Sequence, residues 1–123
     1  MIFYENKFFI LSISDSILSL EYRCETTIDL LAAQSIVAKR VQVQADKIYP
    51  VILDMRNVID SDKAGRDYLA QYGFVLTKAV AILVKPGVSA IITSFYLKRY
   101  TSDIPVQIFT EELRALEFLN TFK

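Results

Sequence analysis

Pro50-Val51-Ile52-Leu53-Asp54-Met55-Arg56-Asn57-Val58 is the stretch on which the fold turns. Val51, Ile52 and Leu53 form a short apolar run opened by a proline and closed by an aspartate. The run lacks the apolar–polar alternation of a half-exposed strand. It therefore reads as a strand buried on both faces, as in a parallel sheet covered by helices. Lys78 to Val84 is a second run of the same kind. Two such parallel strands need a crossover between them, and the surrounding sequence supplies helical patterns in the right places.

On the N-terminal side, Lys7–Ser14 and Ile17–Tyr22 are rich in strand formers and flank Asp15-Ser16, which predicts a β-hairpin. Leu18, Leu20 and Tyr22 alternate with Ile17, Ser19 and Glu21, so one face meets the core and the other meets water. Thr26-Thr27 offers an N-cap hydroxyl to an amphipathic helix reaching about Ala45, with Leu30, Ala33, Ile36, Val37 and Val41 on its apolar side.

On the C-terminal side, Asp60 or Ser61 caps a second helix with Ala64, Tyr68, Leu69 and Tyr72 as its stripe and Gly73 at its end. Pro86-Gly87 turns the chain, and Ser89 caps a third helix bearing Ile91, Ile92, Phe95, Tyr96 and Tyr100. Val106–Phe109 is the last strand. Thr110 caps a closing helix with Glu111 and Glu112 in its first turn and Leu113, Leu116, Leu119 and Phe122 pointing inward. The order is β-β-α-β-α-β-α-β-α, an open α/β fold with a mainly parallel sheet and an antiparallel hairpin at its edge. One domain over residues 1–123 is expected, since domains commonly run ~100–150 residues.

Composition narrows the chemistry. There are 14 Lys+Arg and 14 Asp+Glu, a formal net charge of zero, which argues against a nucleic-acid binder driven by bulk electrostatics. Histidine is absent, so His-based acid–base catalysis, Ser–His and Cys–His pairs and His metal ligation are ruled out. The single cysteine, Cys24, cannot form an internal disulfide, and one neighbouring Arg23 is weak activation for a reactive thiol. No apolar run approaches the ~20 residues that span a bilayer. The opening residues lack a basic-then-apolar leader, so a cytoplasmic location without membrane insertion is expected. No phosphate-cradling loop or nucleophile elbow occurs, and no cofactor is expected.

The run Val51 to Val58, followed by Asp62-Lys63-Ala64-Gly65, resembles the central motif of STAS domains, the SpoIIAA-like anti-sigma-factor antagonist fold. That motif is an apolar strand, an Asp, a short loop and Asp-Ser-Ser-Gly opening a helix. The ending Phe109-Thr110-Glu111-Glu112-Leu113-Arg114-Ala115-Leu116-Glu117-Phe118-Leu119 is similar to the tail of uncharacterised bacterial SpoIIAA-like families. The resemblance implies a SpoIIAA-like open mixed sheet and a non-enzymatic protein-interaction module. Its serine positions fall on Lys63 and Ala64, with Ser61 on the other side of Asp62, so the resemblance comes without a phosphorylatable serine in register.

Asp54 ends a central strand, at the sheet edge where ligands bind in open α/β folds. The structural account of its carboxylate is local bonding to the loop that follows. A second account is a receiver-like phosphoacceptor, which the Lys85-Pro86 pair superficially supports. Asp54, Arg56, Asn57, Asp60, Ser61, Asp62, Lys63 and Arg66 form the candidate partner-docking surface, with Asp62 and Arg66 spaced for an i,i+4 pair. Phe95, Tyr96, Leu97 and Tyr100 exceed one packing stripe. The surplus is either covered by the closing helix or forms a homodimer surface. A small-molecule or lipid-binding module of the same fold is the alternative function. It requires an apolar pocket of ~300–1,000 Å³.

Overall fold

A computed structural model describes residues 2–23, 26–87 and 104–123. Cys24 and the third helix read from the sequence, with Phe95, Tyr96, Leu97 and Tyr100, lie outside the described residues. The elements are β1 (Ile2–Glu5), β2 (Phe9–Ser14), β3 (Ile17–Tyr22), β4 (Thr26–Ile28), α1 (Leu30–Gln44), β5 (Tyr49–Asp54), β6 (Val58–Ser61), α2 (Lys63–Tyr72), β7 (Thr77–Leu83), β8 (Val106–Phe109) and α3 (Glu112–Asn120).

The expected hairpin forms. Asp15 and Ser16 have φ of 53° and 65°, the left-handed pair of a tight two-residue turn that matches strand twist. β3, β5, β7 and β8 run parallel, and the main sheet has the order β1-β2-β3-β5-β7-β8. Val51, Ile52, Leu53 and Asp54 are all buried, as the lack of alternation required. The α/β class and the mixed sheet are those expected.

The two faces of the sheet are covered differently. Leu18, Leu20, Tyr22, Val51, Leu53, Val80 and Ile82 pack against Ala33, Ile36 and Val37 of α1 and Leu69 of α2. Ile17, Ile52, Ala79, Ala81 and Leu83 pack against Ala115 and Leu119 of α3. Small Ala79 and Ala81 let α3 approach the sheet closely.

Several local expectations are corrected. β1 adds an edge strand that the alternation-poor start did not suggest. Thr26 and Thr27 belong to a strand, not a cap: β4 pairs in parallel with the equally unforeseen β6. Asp29 caps α1 instead, accepting from the Ala32 N–H at 2.8 Å. Asp62, not Asp60 or Ser61, caps α2, accepting from the Gly65 N–H at 2.8 Å. The residue preceding α3 is Glu111, without a side-chain cap bond, and not Thr110. The stripes also rotate: Leu30, Ala64, Tyr72 and Leu113 face solvent, while Arg40, Gln44, Gly65, Ala70 and Ala115 are buried. Ile17 lies beneath α3 and not toward water.

Candidate functional site

The carboxyl ends of β3 and β5 bring Glu21 and Asp54 to the same level, one strand apart. Asp54 is buried, on the sheet face that α3 covers in part. Its Oδ1 accepts the Arg56 N–H at 3.1 Å and Nε–H at 2.9 Å, and its Oδ2 accepts from the second guanidinium arm at 2.7 Å. This fork matches the planar guanidinium to the planar carboxylate. The same arm lies 3.5 Å from Glu112 in the first turn of α3. The hydrogen bond to Asp54 pushes the Arg56 guanidinium above its ordinary value, with the charges of Asp54, Glu112 and Glu21 adding to it and partial desolvation opposing. Glu112 and Glu21 are not among the site residues read from the sequence. Glu112 lies 56 positions beyond Arg56 in the chain, so only the tertiary fold joins them.

Asn57 follows on the other side. Its amide donates to the Tyr22 carbonyl at 3.2 Å, and its own carbonyl accepts from the Thr26 N–H at 3.0 Å. These bonds tie the loop after β5 to the end of β3 and set β6 beside β4.

β6 and the first turn of α2 carry the rest. Asp60 accepts from the Ser61 N–H at 2.8 Å. Arg66 donates to the Ser61 carbonyl at 2.7 Å and to its hydroxyl at 3.4 Å. The expected Asp62–Arg66 pair therefore does not form, because capping occupies Asp62 and a carbonyl occupies Arg66. The i,i+4 pair that does form is Lys63 with Asp67, at 2.7 Å. The structure thus brings Asp60, Ser61, Asp62, Lys63 and Arg66 into one ridge. It turns Asp54 and Arg56 toward α3.

Three features lie beyond the sequence reading. Ile59 is 64% exposed in β6, between half-buried Val58 and exposed Asp60. A half-open hollow of about 320 Å³ lies between the β1–β2 turn and the start of α1, lined by Phe8, Phe9, Thr26, Asp29, Leu31 and Ile36. A second hollow of about 450 Å³ runs between α3 and the hairpin, where Ser19, Glu21 and Glu112 stand beside Ile17, Ile52 and Leu116. Among the described residues no group of three or more His, Cys, Asp or Glu side chains is placed to hold a metal ion. No described helix is long and apolar enough to cross a membrane.

No curated protein matches the sequence. Among solved structures, an uncharacterized protein of the DUF3478 family with a SpoIIAA-like fold, from Shewanella loihica PV-4, superimposes with a TM-score of 0.68. The two share 12% identity over 90% of this chain and 91% of that one, a likeness that shows the SpoIIAA-like fold. A family model described as a domain of unknown function, DUF7793, matches residues 11–123, and the chain belongs to that family.

Proposed function

We propose that this chain is a non-enzymatic protein-interaction module that docks a protein partner on the ridge formed by β6 and the first turn of α2. The observation that carries the reading is Ile59, 64% exposed on β6, with exposed Asp60, Asp62 and Lys63 following it in the chain. An apolar anchor inside a polar rim is how interfaces concentrate binding energy. Asp54, Arg56 and Asn57 shape the loop that presents the ridge. Both oxygens of Asp54 are engaged by Arg56, which disfavours the receiver-like alternative, since a phosphoacceptor needs a free carboxylate oxygen. The small-molecule alternative rests on the hollow beside Phe8 and Leu31, whose 320 Å³ meets the lower end of the ~300–1,000 Å³ range of ligand sites.

A photo-crosslinking amino acid placed at Ile59 in cells, with exposed Leu113 on α3 as the control position, tests the proposal. A discrete protein adduct from position 59 and none from position 113 is expected. Equal labelling from both positions, or none from 59, overturns it.

A further inference from the structure

Arg40 and Gln44 are 2% and 1% exposed, on an amphipathic helix where polar residues are expected outside. They stand four residues apart, so both project from one face of α1. Arg40 donates to the Gln44 side-chain oxygen, to the Val75 carbonyl at 2.8 Å and to the Gly73 carbonyl at 3.1 Å. Gln44 donates to the Leu76 carbonyl at 2.8 Å and the Lys47 carbonyl at 2.9 Å. The pair therefore grips four backbone carbonyls, three of them in the connection that leaves α2 for β7. Among the described residues no carboxylate pairs with the guanidinium, and neutral acceptors offset its burial. Leu76 sits in this connection with φ of 61°, a conformation that leucine rarely adopts.

The opposite end of α2 is tied to the same neighbour. The Asp62 N–H donates to the Ile28 carbonyl at 3.1 Å, just before α1 begins. A Cβ on Gly65 would lie 2.8 Å from that carbonyl and 2.9 Å from the Asp29 carbonyl. α2 is thus seated at its start by close backbone contact and held at its end by two buried side chains. Its ten residues span about 15 Å at 1.5 Å each, so a shift at one end is felt at the other.

We propose that Arg40 and Gln44 form a lock that positions α2 from its far end and holds the ridge at Asp60–Lys63 in one preformed arrangement. The ridge's docking role rests on the function proposed above, but the lock itself is a property of the free protein. Its test uses no partner, so the lock and the docking reading stand or fall separately.

Amide hydrogen exchange of the full chain, read by mass spectrometry, provides that test. In Arg40→Met, residues 73–76 and α2 should both exchange at least ~10-fold faster, while β5 and β7 keep wild-type protection, the pattern of a sub-global opening. Faster exchange confined to 73–76 overturns the proposal, as does a uniform rise across the sheet or no change. Should Arg40→Met fail to fold, Gln44→Met carries the same test with the same outcomes.

Discussion

Asp54 spends both carboxylate oxygens on Arg56, so its chemistry is structural first. Asp54→Asn should lower stability by about 1–2 kcal/mol in urea titration, near the lower range for a charge-assisted bond because Arg56 is 42% exposed and solvent screens the pair. Incubation of the wild type with acetyl phosphate and Mg²⁺ should leave its mass unchanged; a labile acyl phosphate on Asp54 would instead make the chain receiver-like. Tyr22 offers a pH test. Burial pushes its phenol above the ordinary value of 10.0, with the Arg40 guanidinium pulling it partly back. A raised phenol stabilises the fold fully below pH 10 and loses that contribution as the unfolded chain ionises above it. Burial lowers Arg40 to about 10, so its own contribution has the opposite sign: stability rises as pH climbs above about 10. Tyr22→Phe removes the falling component. The variant should therefore gain on the wild type between about pH 8 and pH 11 in paired urea melts. A constant difference across that range would show that Tyr22 ionises as easily folded as unfolded.

At the scale of elements, α2 depends on the absence of a Cβ at Gly65. Gly65 is where the helix meets the backbone of Ile28 and Asp29, and neither carbonyl can move aside as a flexible side chain would. Gly65→Ala should cost about 1–3 kcal/mol despite the better helix propensity of alanine. A variant as stable as wild type would mean that α2 slides on α1 without penalty. α3 illustrates the same reasoning on the other face. Its inward residues are Ala115 and Leu119, both 0% exposed, with Leu116, Phe118 and Phe122 half-buried around them, while Leu113 is 71% exposed. Leu119→Ala should cost about 2–5 kcal/mol by opening a cavity against Ile17, Ile52 and the alanines of β7. Leu113→Ala should change stability by less than ~0.5 kcal/mol.

In the molecule as a whole, stability and the proposed docking draw on different residues. The core lies on the two sheet faces, whereas Ile59 projects from the small β4–β6 sheet. Ile59→Asp should accordingly leave the denaturation midpoint within ~0.5 kcal/mol of wild type and abolish the crosslinked adduct formed from a probe at the neighbouring Asp60. Loss of stability by several kcal/mol would place Ile59 in the core and remove the basis of the docking reading.

The class of fold follows from the amino-acid sequence alone. The unalternating Val51–Leu53 and Ala79–Val84 runs required strands covered on both faces, and the Asp15-Ser16 pair required a tight hairpin. These signals are local: burial on both faces and a two-residue turn are dictated within a few residues of chain. The places of the buried polar residues follow from long-range contacts. Arg40 and Gln44 fit the helical period of the buried side, but nothing nearby in sequence announces the carbonyls of residues 73–76 that satisfy them. β4 and β6 are too short to stand alone and exist because Asn57 and Tyr22 bring them side by side. The Arg56–Glu112 contact needed α3 to return across the sheet. A buried polar group is tolerated only where distant chain supplies its partner, and the partner is chosen by the fold, not by the residue.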